Sequence, residues 1–105
     1  MRFISMSLIR VRDLDELRRV LEDPSMFDVY RSIAGFEPVS AVVEMRPHPD
    51  GCAVDGRDGR WWIYVRVVGE EGAVYDIALW KILRFPEARE RLGNVVEIGS
   101  EPATA

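Results

Sequence analysis

The run Trp61-Trp62-Ile63-Tyr64-Val65-Arg66-Val67 constrains the fold of this chain more than any other segment. Aromatic and β-branched residues suit extended backbone, and a strand sends alternate side chains to opposite faces. Trp61, Ile63, Val65 and Val67 therefore share one face, and Trp62, Tyr64 and Arg66 the other. The first set can line a core. The second is explained by folding alone only if helices or a partner chain cover it. Left open to water, two aromatic rings followed by an arginine form the kind of surface that stacks flat ligands or bases.

The segments on either side supply the rest of a small domain. Phe3 to Val11 suits a strand, with Ser5 and Ser7 at alternate positions. Asp13, followed three residues later by Glu16, is a capping-box pattern, and Leu14, Leu17, Val20 and Leu21 continue at helical spacing until Asp23-Pro24. Ser25 is placed to cap a second short helix through Met26, Phe27, Val29, Tyr30 and Ile33, closed by Gly35. From Pro38 the period changes to two: Val39, Ala41, Val43 and Met45 alternate with Ser40, Val42, Glu44 and Arg46. Residues 47–60, rich in Gly, Pro and Asp, are expected to form a long loop. Gly69-Glu70-Glu71-Gly72 is a hairpin turn into Ala73 to Leu79. A symmetric turn puts Arg66 opposite Tyr75, Tyr64 opposite Ile77 and Trp62 opposite Leu79. Lys81 to Phe85 fits either a strand end or a helix start. Pro86 opens a short helix through Leu92 closed by Gly93, Asn94 to Ile98 adds a last short strand, and 98–105 reads as a flexible tail. The expectation is one α+β domain over residues 1–105, an antiparallel sheet of about four strands with short helices packed on it.

At 105 residues and 48% hydrophobic content, such a domain buries a core without disulfides. Cys52 is the only cysteine, which excludes an internal disulfide and a cysteine-based metal framework and fits a reducing cytoplasm. Arg2, Ser5, Ser7 and Arg10 interrupt the first apolar stretch, so it reads as neither a signal peptide nor a spanning helix, and no membrane partner is expected. The net charge of −4 argues against a protein that coats DNA generally, but it leaves room for a local basic groove. Thirteen of the fourteen basic residues are Arg, Gln is absent and Asn94 is the only Asn. Few thermolabile amides among many Arg, Glu and Asp are compatible with a thermophile, although Arg for Lys also follows from a GC-rich genome.

Catalytic chemistry finds little support. The stretch from Asp50 to Gly59 lacks the GK[ST] ending and the strand-to-helix setting of a phosphate loop. His48 is the only histidine, and its pairing with Cys52 lacks an orienting third group. Asp50, Asp55 and Asp58 could hold a cation together, although an exposed turn rich in Asp and Gly is the commoner cause of such a cluster, and Glu70 and Glu71 sit on a hairpin tip. No enzyme activity, metal or cofactor is expected. The aromatic and basic residues form a more coherent set. Trp62, Tyr64, Arg66 and Tyr75 share the expected hairpin face, Arg46 points from the neighbouring strand, and Arg57 and Arg60 lie just before Trp61. Trp80, Lys81, Arg84 and Phe85 make a second cluster. Flat rings for bases and guanidinium groups for phosphates are what single-stranded nucleic acid requires. Packing gives competing accounts: Trp61 faces the core, Trp62 and Tyr64 also suit a buried interface, Arg46 and Arg66 can pair with Glu44 or Asp76, and Tyr30 and Arg31 fit ordinary helix surface.

The order of elements carries a family resemblance. Two short helices, the strand Val39 to Arg46, an arginine-flanked loop, Trp61-Trp62-Ile63-Tyr64-Val65-Arg66, the GEEG hairpin and Leu79-Trp80-Lys81-Ile82-Leu83-Arg84-Phe85-Pro86 together resemble the ThermoDBP group of single-stranded DNA-binding proteins of thermophilic archaea and their relatives. The resemblance spans roughly residues 3 to 98. It implies an antiparallel sheet with helices packed on it, a cleft with hydrophobic and basic walls, and binding of single-stranded DNA or RNA without catalysis. Members with a C-terminal leucine zipper dimerise through it, whereas this sequence ends in Pro102-Ala103-Thr104-Ala105, which leaves a homo-oligomer open. Three functional expectations follow: a sequence-tolerant single-strand binder, a protein-interaction or oligomerisation module with its second sheet face covered by a partner, and, with least support, an enzyme or carrier using Cys52 and His48.

Overall fold

A computed structural model describes residues 7–54 and 60–100. It is an α+β fold in which one five-stranded sheet carries the helices of the described residues on one face. The strands are β1 (Ser7–Val11), β2 (Pro38–Val54), β3 (Arg60–Gly69), β4 (Val74–Ala78) and β5 (Val96–Ser100), in the spatial order β4-β3-β2-β1-β5. All neighbouring pairs are antiparallel except β1 and β2, which run parallel over Arg10↔Ala53 and Val11↔Val54. The helices α1 (Leu14–Leu21), α2 (Phe27–Ala34), α3 (Leu79–Ile82) and α4 (Pro86–Leu92) occupy the two long connections, β1 to β2 and β4 to β5.

Local chemistry explains most of these boundaries. The Asp13 carboxylate accepts a hydrogen bond from the Glu16 N–H at 3.1 Å and caps α1, as the capping-box spacing indicates. The second cap is Asp23 rather than Ser25. Its side chain accepts from the Ser25 N–H at 2.8 Å and opens a 3₁₀ turn, Pro24–Met26, that leads into α2 without a side-chain cap of its own. Gly35 ends α2 at φ 82°, a left-handed conformation that a residue without Cβ adopts at no steric cost.

The core lies between the helices and one sheet face. Val43, Ile63, Val65, Val67 and Ile77 of the sheet meet Leu17 and Leu21 of α1, Met26, Val29 and Tyr30, Ile82 of α3 and Ala88 and Leu92 of α4, all buried. Tyr30 is fully buried, correcting its expected place on the helix surface, while Arg31 is exposed. The Tyr30 ring completes the core, and its hydroxyl donates to the Leu21 carbonyl at 2.5 Å. That carbonyl belongs to the last turn of α1 and has no partner within its own helix. One hydroxyl thus joins the two helices.

Two features of the sheet differ from the expected pattern. The long loop expected at 47–60 is largely strand: β2 continues to Val54, and residues 55–59, Arg57 among them, lie outside the described residues. Trp61 pairs with both Pro47 and Cys52, so residues 48–51 have no β3 partner and bulge out between two paired stretches. The turn-forming residues Pro49 and Gly51 are absorbed by this bulge, and the ladder resumes beyond it. Gly51 is required there for closeness: a Cβ at this position would lie 2.2 Å from the Trp61 carbonyl oxygen and 2.6 Å from the Trp62 nitrogen. At the other end of the sheet, the last strand extends through Gly99 and Ser100, which pair with Leu8 and Ser7, so strand replaces the flexible tail expected at 98–100, and residues 101–105 of that expectation lie outside the described residues.

Candidate functional site

The hairpin turn decides which side chains meet on the second sheet face. Val68 pairs with Val74, which leaves five residues between them in place of the expected four. The Gly69 N–H donates to the Ala73 carbonyl at 2.8 Å, and Gly72 adopts φ 81° to close the turn. One extra residue shifts the register by one and sends β4 side chains to the opposite faces. Arg66 therefore stands opposite Asp76, Val65 opposite Ile77 and Tyr64 opposite Ala78. Tyr75 pairs with Val67 on the helix-bearing face, which removes it from the expected site. The same slip takes Leu79 into the core.

Among the described residues, no helix covers what remains of this face. Its rows, read across β2, β3 and β4, are Arg46 and Trp62; Glu44, Tyr64 and Ala78; Val42, Arg66 and Asp76; and Ser40, Val68 and Val74. Trp62, Val42 and Val74 are exposed. At one end a shallow depression is lined by Arg46, Trp62, Tyr64, Asp76 and Ala78. The Arg46 guanidinium lies over both rings, 5.7 Å from the Trp62 centroid and 5.6 Å from that of Tyr64. The Arg66 guanidinium lies 6.0 Å from the Tyr64 ring. These distances fall in the cation–π range and follow directly from strand pairing, since Arg46 and Trp62 are opposite one another.

Each cation has a carboxylate nearby. Arg66 donates to both oxygens of Asp76, at 2.9 and 3.0 Å, and this pairing holds the Asp76 carboxyl below the usual carboxylate range. Packing was one expected account of Arg66, and here it applies. Glu44, opposite Tyr64, is half-buried and acts on Arg66 through space; it forms no hydrogen bond or salt bridge among the described residues. The two arginines and two carboxylates leave this part of the face close to neutral.

The bulge adds a residue that the sequence pattern did not place here. His48 stacks on Trp62, with ring centroids 4.5 Å apart and planes inclined by 26°. The neighbouring Cys52 is half-buried, and burial pushes its thiol up to about 11, the opposite of what a reactive nucleophile needs. The imidazole is stacked into the aromatic row, and a raised thiol gives the Cys52–His48 reading no support. Of Pro47-His48-Pro49, only Pro47 pairs with β3, opposite Trp61, and the local sequence pattern does not mark the stacking of His48.

The remaining candidates divide. Arg60 opens β3, half-buried, two residues before Trp62, and strand alternation assigns it to the same face. Trp61 is partly buried against the core, as its position beside Ile63 and Val65 indicates. Trp80 is 47% exposed, with the Lys81 amino group 5.8 Å and the Arg84 guanidinium 4.7 Å from its ring. Phe85 is half-buried and packs against the core beside this cluster. Arg57 lies outside the described residues. Among the described residues there is no group of three or more His, Cys, Asp or Glu able to hold a metal, and no helix long and apolar enough to cross a membrane.

No protein-family model, no curated protein and no solved structure matches this chain.

Proposed function

We propose that the helix-free face of β2, β3 and β4 binds single-stranded DNA or RNA with little regard to sequence and without catalysis. One observation carries the reading: the Arg46 guanidinium set over both the Trp62 and Tyr64 rings on a sheet face that no helix among the described residues covers. Trp62 and Tyr64 supply stacking surfaces, Arg46 and Arg60 supply charge for the phosphates, and Arg66, held by Asp76, lies beside the Tyr64 ring. Trp80 with Lys81 and Arg84 is a second, smaller platform two residues beyond Ala78, the partner of Tyr64. This is the activity that the ThermoDBP resemblance implies, and membership of that group, with the thermophilic archaeal source and cytoplasmic location it carries, is part of the same proposal.

The test is fluorescence anisotropy of a labelled oligo-dT against wild type, Trp62→Ala and Tyr64→Ala. Base stacking contributes roughly 1–3 kcal/mol per base, so each variant should bind about 5- to 150-fold more weakly. Two or three phosphate contacts give an expected salt slope of about −1.4 to −2. Folded variants that bind as wild type would place the interaction elsewhere.

A second reading rests on the other end of the same face. Val42 and Val74 are 44% and 56% exposed beside Val68, and the neighbouring charges balance, a pattern that also suits a protein partner or a second copy. A concentration-dependent dimer in sedimentation, with no oligonucleotide binding, would favour it.

A further inference from the structure

We propose that Glu44 makes this surface prefer guanine at one position of an otherwise sequence-tolerant strand; the inference rests on the single-strand reading above. Stacking rings and phosphate-binding arginines treat all bases alike, and neither calls for an acceptor among them. Glu44 lies in the middle of the platform. It is opposite Tyr64, next along the same face of β2 from Arg46, and diagonal to Trp62 and Arg66. Asp76 has both oxygens on Arg66, whereas no hydrogen bond or salt bridge engages Glu44 among the described residues. The site therefore holds a carboxylate acceptor with a cationic donor beside it, above flat rings.

Guanine complements that order better than the other bases. Its N1–H and N2–H groups are adjacent donors that match the two oxygens of one carboxylate, while O6 and N7 on the other edge accept from a guanidinium. Cytosine and adenine each offer a single amino group beside ring acceptors that a carboxylate repels. Thymine offers one N–H between two carbonyl oxygens. A guanine stacked on Tyr64 or Trp62 can thus present its donors to Glu44 and its acceptors to Arg46.

The experiment compares four labelled oligonucleotides of equal length: oligo-dT, and oligo-dT carrying one central dG, one central dC or one central deoxyinosine, which lacks the N2 amino group. Wild type, Glu44→Gln and Asp76→Asn are each titrated, with circular dichroism to confirm folding. A bidentate pair discriminates by about fivefold or more. The expected result is that wild type binds the dG strand at least that much more tightly than oligo-dT, with deoxyinosine losing most of the gain and dC gaining little. Glu44→Gln should abolish the preference, read as the ratio of dG-strand to oligo-dT affinity within the variant, and Asp76→Asn should retain it. Equal binding of the four strands by wild type overturns the inference but leaves the single-strand reading standing. A preference that survives Glu44→Gln, or one lost in Asp76→Asn alone, overturns the assignment to Glu44. Failure of every strand to bind overturns both.

Discussion

Replacing Gly51 by alanine tests whether the bulge between Pro47 and Cys52 is a built feature of the sheet. The added methyl would sit 2.2 Å from the Trp61 carbonyl oxygen, 2.3 Å from its carbon and 2.6 Å from the Trp62 nitrogen. Ordinary contacts of this kind exceed 3 Å, so the strands must part by about an ångström, and the obstructing atoms are backbone with no rotamer to change. Overpacking in a well-filled site costs typically 1–3 kcal/mol, and the rigid surroundings put this substitution near the top of that range, about 2–3 kcal/mol. At about 4–6 °C per kcal/mol for a domain of this size, the melting temperature should fall by roughly 10–15 °C. Thermal unfolding followed by far-UV circular dichroism reads this directly. Tryptophan emission of the folded variant should change as well, because the bulge carries His48 onto Trp62. A variant that melts within about 2 °C of wild type, with unchanged emission, would refute the close approach of the bulge to β3.

Three further outcomes follow from the geometry. Tyr30→Phe keeps the ring but leaves the buried Leu21 carbonyl without its donor, so a loss of about 1–2 kcal/mol in denaturant unfolding is expected. With its thiol raised from 9.0 to about 11, Cys52 should react with iodoacetamide at pH 8 roughly 100-fold more slowly than an exposed cysteine, and at an ordinary rate once unfolded. Asp76, Glu37 and Asp23 are held below the usual carboxylate range, by hydrogen bonds from Arg66, from Arg31 and from the Ser25 backbone respectively. A depressed native value stabilises the fold above the unfolded-state pKa and ceases to do so as the pH falls through the lowered value. Stability should therefore hold between about pH 5 and 8 and decline below about pH 4, and Asp76→Asn with Glu37→Gln should shrink that decline.

Periodicity and caps made much of this fold legible in the sequence. The Asp13 cap, the Gly35 stop, the alternation along β2 and β3 and the helix from Pro86 to Leu92 are written in local patterns, because each depends on a few neighbouring residues. The turn after Gly69 was legible as a turn but not in its length, and that one residue moved Tyr75 off the site and Ile77 and Leu79 into the core. Register is a property of the paired strands, and GEEG alone does not fix it. The strand from Pro47 to Val54 was obscured for a related reason: prolines and glycines that locally suit a loop are accommodated in a bulge once β1 and β3 supply partners beyond it. Of the candidate site, the row of Arg46, Trp62, Tyr64 and Arg66 follows from alternation, whereas the His48 cover and the packing of Phe85 against the core depend on tertiary structure.

Trp62 is the residue on which the proposed function depends most, and its own emission can report on it. Intrinsic tryptophan fluorescence should be followed during titration with oligo-dT and with a duplex of equal length, at low and moderate salt, for wild type and Trp62→Phe. The expected result is quenching by the single strand alone, weakened by salt and largely lost in the variant. A flat signal with both nucleic acids at low salt, together with unchanged anisotropy of the labelled strand, would contradict the assignment of this face to single-stranded nucleic acid.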